Sequence, residues 1–161
     1  MAAAIDRLIE LDQRDSARQH ERVAFLALMD AVIEALPDGL VVTDSEGNIA
    51  LFNEKAEFMF GRHRSEAIGQ NVEMLMPERT RQLHVSHRRI YNEFDVSPHA
   101  RPMGRGLRLT GLRSDGHEFP VDVTLARMVV PGGVYNLALI RRSPRLIEPA
   151  ADRVTPQAGG E

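Results

Sequence analysis

The sequence contains no cysteine and no tryptophan among its 161 residues. The absence of cysteine excludes disulfides, zinc–thiolate sites, iron–sulfur ligation by the chain and any thiol nucleophile. It also excludes a light-sensing flavin attached through a cysteine sulfur. Apolar runs are short, and none approaches the ~20 residues that a membrane-spanning helix needs. We therefore expect a cytoplasmic protein that makes no membrane contact.

Net charge is also small, since 20 basic residues face 23 acidic ones for a formal charge of −3. This balance creates no overall field that would favour direct binding of nucleic acid or an anionic membrane. The sequence has neither a Gly-x-Ser-x-Gly elbow nor a phosphate-binding loop with its lysine. These absences predict a protein that is not an enzyme.

Glycine and proline are missing from residues 2–36 and recur throughout the rest of the chain. We predict an amphipathic helix over residues 1–36, a folded domain over 37–142 and a disordered tail over 143–161. The helix is expected to serve as a dimerisation element or a cap. Its apolar positions follow a spacing of four, three and four residues, which favours pairing with a second copy in a homodimer: Phe25, Met29, Val32 and Leu36.

The order of predicted elements in the folded domain is two strands, three short helices and three further strands. A turn at residues 44–48 joins the first strands, and Asp115-Gly116 is typical of a hairpin turn. Pro77 suits the first turn of a helix that is expected to reach about Glu93. Strands and helices that are grouped in this way predict an α+β fold with a five-stranded antiparallel sheet. Short helices would cover one face, and a ligand cavity would lie between them and the sheet.

Five segments resemble, in their order and spacing, the PAS family of sensory and interaction domains in bacterial signalling. They are residues 36–44, 47–49, 52–57, 67–78 and 111–121, and the pair Phe60-Gly61 between the third and fourth of these segments also matches. The resemblance implies the PAS fold and a module that senses a small ligand or a partner. It further implies that the signal passes through dimer or protein–protein contacts to a partner such as a histidine kinase or a transcription regulator.

Two histidines lie where the predicted third helix faces the sheet. At about 100° per residue, Leu83, His87 and Ile90 share one face of this helix, and His84 lies at its edge. The resemblance is nearest to the haem-binding oxygen-sensor branch of the family. In that branch a segment similar to residues 74–78 precedes a histidine that ligates iron, which implies His84 as the axial ligand of haem b, with His87 second.

The same branch places an arginine on the next strand to hydrogen-bond the bound gas. Leu107 occupies that position here, with Arg105 close to it in sequence. We predict that the remaining ligand contacts come from Ile90, Leu109, Leu137 and Leu139. The predicted lining between sheet and helices comprises Phe52, Phe58, Phe60, Leu75, Leu83, Ile90, Leu109, Phe119, Val121, Val123, Leu137 and Leu139.

Three hypotheses about function follow from these residues. The first is a PAS module that senses a ligand or partner and relays a signal. The second is a haem-based gas or redox sensor that uses His84. The third is a ligand-free dimerisation module of a histidine-kinase-type system. A non-covalently bound flavin also stays open.

Overall fold

The computed structural model describes residues 2–94, 100–103 and 109–144. A long helix, α1 (Ala2–Glu34), leads into the hairpin strands β1 (Gly39–Asp44) and β2 (Ile49–Phe52). Helical segments then follow in the order α2 (Glu54–Phe60), α3 (Arg64–Ala67), a 3-10 helix (Val72–Leu75) and α4 (Glu78–Phe94). The remaining strands are β3 (Arg101–Pro102), β4 (Leu109–Leu112), β5 (Glu118–Val130) and β6 (Gly133–Arg142). The predicted α+β order is confirmed.

The strands form one antiparallel sheet in the order β2-β1-β6-β5-β3, and β4 also pairs with β5. One edge of β5 pairs with β6 along ten residue pairs. β3 and β4 both pair with the other edge of β5, where Arg101 lies opposite Leu125 and Gly111 opposite Phe119. The two short strands therefore share the fifth position of the predicted sheet.

The hydrophobic core lies where the sheet meets α2 and the 3-10 helix. Phe60 lies between Phe52 and Phe119, with ring centroids 6.1 and 5.4 Å away. The buried cluster contains Val41, Ile49, Phe52, Ala56, Met59, Phe60, Ala67, Leu75, Phe119, Val121 and Ile140. Phe58 was predicted in this group, and that prediction is wrong, because its side chain is 77% exposed. At helical spacing, Ala56, Met59 and Phe60 form the buried face of α2, and Phe58 projects from the opposite side.

The register of β6 corrects a second part of the predicted lining. Val41 lies opposite Ala138, and both residues face the helices. Because successive side chains of a strand point to opposite faces, Leu137 and Leu139 lie on the far face of the sheet. β6 is apolar on both faces, so alternation in the sequence could not decide which set points inward.

Asn53 connects the end of α1, strand β1 and helix α2, and it is 1% exposed. Its side-chain oxygen accepts hydrogen bonds from the amides of Leu40 and Ala56, at 2.8 and 3.0 Å. Its side-chain nitrogen donates to the carbonyls of Ile33 and Asp38, both at 3.2 Å. The side-chain amide of Asn53 thus hydrogen-bonds to backbone groups of three segments and holds them together.

We expect Asn53→Ala to lower the free energy of unfolding by about 2 kcal/mol, because it removes a helix cap and leaves buried partners unpaired. Urea denaturation measures this loss. The control is Asn71→Ala, because Asn71 also caps a helix but is exposed and donates at 3.5 Å to only one carbonyl. An equal loss in both variants would contradict the joining role of Asn53.

Candidate ligand cavity

A cavity of about 940 Å³ lies between α4 and the inner face of the sheet. This volume is near the top of the roughly 300–1,000 Å³ range of small-molecule sites. The sheet contributes Val41, Leu109, Val121, Val123, Leu125, Ala138 and Ile140. The helical side contributes Phe60, Val72, Leu75, Met76, Leu83 and Ile90. Leu83 and Ile90 are 59% and 56% exposed, so these two predicted core residues line an open cavity and do not belong to a closed core.

Polar groups enter the cavity from two directions. On the sheet, Thr43 and Asn136 are register partners in β1 and β6, and both are buried. On the helical side, the polar lining residues are Thr80, His84, His87, Arg88 and Tyr91 of α4. An apolar cavity with a few placed polar groups is the arrangement that binds and orients a small organic ligand.

His84 is held by a buried carboxylate. Its Nδ1 lies 2.9 Å from Oε1 of Glu73, which is 5% exposed and belongs to the 3-10 helix. The same Oε1 accepts a second hydrogen bond, at 3.3 Å, from Nε of Arg88. The other carboxylate oxygen, Oε2, is buried and has no hydrogen-bond partner within the part of the chain that the structure describes.

Arg88 also fixes this cluster to the turn between β1 and β2. Its Nη1 donates to the carbonyl of Ser45 at 3.4 Å. Gly47 has a φ of 93°, and a Cβ at this position would collide with the Arg88 guanidinium. Glycine is therefore required here both for the backbone conformation and for the close approach of the arginine.

The predicted site residues divide into three groups. His84, His87, Ile90 and Leu109 line the cavity. Leu137 and Leu139 are absent from its walls, where their neighbours Asn136, Ala138 and Ile140 are found. Arg105 and Leu107 lie outside the described residues.

Sequence reasoning missed Glu73, Arg88, Thr43 and Asn136 as polar members of the site. A signal for Glu73 was available, because it is the only charge in the run Val72-Glu73-Met74-Leu75-Met76. A carboxylate inside an apolar run needs a buried partner. The sequence alone does not show that His84 and Arg88 are the partners of this carboxylate, because they lie 11 and 15 residues away from it.

A second polar cluster anchors the end of α1 to the domain. Glu34 accepts hydrogen bonds from the amide of Glu54 at 2.8 Å and from Arg64 at 2.7 Å. Arg64 also donates to both carboxylate oxygens of Glu57, each at 3.1 Å. The Glu54 amide and then Arg64 hold the pKa of Glu34 below its ordinary value, and Arg64 does the same for the pKa of Glu57. The cluster attaches the last turn of α1 to α2 and α3.

The structure is an α+β domain with a cavity of ligand size, and comparison with known proteins gives its family. The family profile described as the PAS fold matches residues 27–142. The chain therefore belongs to the PAS family, and the predicted family and fold are confirmed. Of the solved structures, the PAS domain of an HTR-like protein from Haloarcula marismortui superposes with a TM-score of 0.66 at 20% identity, covering 80% of this chain and 99% of that one.

Two curated relatives are sensor proteins by name. The chain is 38% identical over 111 residues to the sensor protein FixL of Bradyrhizobium diazoefficiens, which covers 69% of this chain and 21% of FixL. It is 32% identical over 103 residues to the oxygen sensor protein DosP of Escherichia coli, covering 64% of this chain and 12% of DosP. The chain thus spans only a small part of the length of each relative. The family match and the sensor relatives together make it a PAS sensory domain. No helix within the described ranges is long and apolar enough to cross a membrane.

Proposed function

We propose that this domain senses a small ligand bound in the cavity and relays its occupancy through α1 to a partner protein. The observation that carries the proposal is the cavity of about 940 Å³, which is apolar over most of its walls and polar along α4 and at Thr43 and Asn136. α4 forms one wall of the cavity, so a ligand would change its contacts with the sheet. The domain would act in the cytoplasm and without catalysis, upstream of a histidine kinase or transcription regulator.

The cavity predicts a specific response to a probe. We expect 8-anilinonaphthalene-1-sulfonate to bind wild-type protein saturably with increased fluorescence, and Ala138→Phe to weaken binding by about tenfold or more, because the new ring fills the cavity floor. Fluorescence titration measures both. Ala126→Phe is the matched control, since Ala126 lies on β5 outside the cavity walls. Equal weakening in both variants, or no saturable binding to wild type, would rule out the cavity as the binding site.

α1 carries the proposed dimer contact. In the predicted stripe of Phe25, Met29, Val32 and Leu36, the first and third residues are 59% and 48% exposed and the other two are half-buried. The neighbouring Leu28 is also exposed, at 56%. Burying such a stripe against a second copy yields roughly 25 cal/mol per Å² of apolar surface. The Glu34–Arg64 cluster lies at the end of the same helix, so a dimer built on α1 would be linked directly to the domain.

We expect the double variant Phe25→Glu with Val32→Glu to sediment as a monomer at concentrations where wild type is a dimer, because paired carboxylates in the seam repel each other. Analytical ultracentrifugation measures this change. The control, Gln19→Glu with Ala27→Glu, adds the same charge away from the stripe and should stay dimeric. A wild-type protein that sediments only as a monomer would refute the dimer.

A second candidate ligand is haem, favoured by one observation in the cavity wall. The His84 ring engages Glu73 through Nδ1, whereas Nε2 has no hydrogen-bond partner among the described residues. Histidines that ligate metals commonly donate their other ring N–H to a carboxylate in this way. His84 would hold the iron, and the surrounding leucine, isoleucine and valine side chains would enclose the porphyrin. Haem iron supplies a site for a diatomic gas or for an electron.

The haem proposal has a direct test. Haemin added to purified apoprotein should produce a sharpened and shifted Soret band that saturates with protein concentration. A spectrum identical to that of free haemin would remove haem from consideration and leave the proposal of another small ligand in place.

A further inference from the structure

We propose that Glu73 and Arg88 act together as a positioning pair that fixes His84 in its Nδ1–H tautomer and presents Nε2 to the cavity. This inference rests on the proposed ligand site. The pair would set the orientation of His84 before any ligand binds.

The position of the proton follows from the acceptor. An ionised carboxylate has no hydrogen to donate, so the 2.9 Å contact between Nδ1 of His84 and Oε1 of Glu73 requires the proton on Nδ1. Arg88 reinforces this arrangement, because its Nε also donates to Oε1. A neutral imidazole that carries its proton on Nδ1 has its lone pair on Nε2, which is the form that binds a metal or accepts a hydrogen bond.

The pair is held from three segments of the chain. The backbone of Glu73 belongs to the 3-10 helix, which Asn71 caps. Arg88 extends from α4 to the carbonyl of Ser45 in the turn between β1 and β2. Because Nδ1 of His84 and Nε of Arg88 share Oε1 of Glu73, the His84 ring has a defined orientation, so little ordering is left for a ligand to impose.

The charge of Glu73 should also affect the bound ligand. A carboxylate that accepts the Nδ1 proton makes the imidazole a more basic ligand. If His84 binds haem iron, this stabilises the ferric state, which carries more positive charge than the ferrous state. Loss of the carboxylate should therefore raise the iron reduction potential. Loss of a residue in this second layer typically weakens metal affinity by roughly 10–100-fold.

The experiment separates position from charge with two substitutions. Glu73→Leu removes the acceptor, whereas Glu73→Gln keeps an amide oxygen that the two donors, His84 and Arg88, can still share. Glu78→Gln is the control, because Glu78 is exposed at the start of α4 and lies outside the cavity walls. The first readout is the tautomer of His84 in the apoprotein, from nitrogen-15 NMR of histidine-labelled protein with the signal assigned by His84→Gln.

We expect a single Nδ1–H tautomer in wild type and Glu73→Gln, and loss of that preference in Glu73→Leu. We expect Glu73→Leu to bind haemin about tenfold more weakly or worse. Glu73→Gln should bind more tightly than Glu73→Leu and show a higher midpoint potential than wild type, and Glu78→Gln should match wild type in every readout.

An Nε2–H tautomer in wild type, or an unchanged tautomer in Glu73→Leu, would overturn the positioning role. A midpoint potential of Glu73→Gln equal to that of wild type would overturn the role of the charge. If wild type takes up no haemin, the haem proposal fails, and the tautomer measured in the apoprotein still decides whether Glu73 positions His84. If Glu73→Leu does not fold, the tautomer of the wild-type protein still tests the positioning role, and the midpoint potential of Glu73→Gln still tests the role of the charge.

Discussion

Phe119→Ala should lower the free energy of unfolding by about 3–5 kcal/mol, the range found for large-to-small aromatic substitutions in a packed core. Phe119 is 3% exposed, and its ring packs against Phe60 with 5.4 Å between centroids. The Arg142 guanidinium lies 4.9 Å from the centre of the same ring. Gly111, opposite Phe119 in β4, leaves room for the ring, since a Cβ there would lie 2.8 Å from it. The neighbouring residues pack closely against this ring, so we expect its removal to leave a cavity that they cannot fill.

The control for this prediction is Phe58→Ala, which removes the same atoms from a side chain that is 77% exposed. Its loss should stay under about 1 kcal/mol, because little apolar surface returns to water. Chemical denaturation measures the free energy of unfolding of both variants, and the two values are compared at an equal dependence on denaturant concentration. Comparable losses at the two positions would mean that α2 buries a different face.

If haemin gives the saturable Soret change that the haem proposal predicts for wild-type protein, His84→Ala should abolish that change. Removal of a residue that only hydrogen-bonds to a metal-binding side chain lowers metal affinity by roughly 10–100-fold. Removal of the proposed iron-binding histidine itself should lower the affinity for haemin further. The variant keeps the apolar walls, so weak, non-specific uptake of haemin is expected without the spectrum of a histidine-bound iron. Absorption titration measures the loss.

The control is His117→Ala, because His117 lies exposed in the hairpin between β4 and β5. It should leave the titration unchanged. If His84→Ala binds haemin as tightly as wild type and with the same spectrum, His84 is a structural histidine in the Glu73–Arg88 cluster. The iron ligand would then be another residue, with His87 the second candidate in the cavity wall.

Local signals were sufficient to predict most of the fold. Asn53 as a helix cap, Asp115-Gly116 as a hairpin turn and the alternation of Phe119, Val121 and Val123 each depend on neighbours in the sequence. All are found where they were expected. They gave the order of the elements, apart from the two-residue strand β3, and the inward face of β5.

The errors occur where the outcome depends on distant partners. Phe58 was placed in the core because it is apolar, but the phase of α2 is set by Ala56 and Phe60. β6 is apolar on both faces, so only its register with β1 shows that Ala138 points inward and Leu137 outward. His84 was identified as a site residue from its place at the edge of one helix face and from the family resemblance, whereas its partner Glu73 is eleven residues away on another helix.

The most direct test of the central claim is a map of where the probe binds. Isotope-labelled methyl groups of wild-type protein, saturated with 8-anilinonaphthalene-1-sulfonate, should show chemical-shift changes and contacts to the probe at Val41, Val121 and Ala138, on the inner face of the sheet. Leu137 and Leu139, on the outer face, should be unaffected. Contacts confined to the outer leucines or to Phe25 and Val32 of α1, with none at Val41, Val121 or Ala138, would contradict the claim that the cavity beneath α4 is the sensory site.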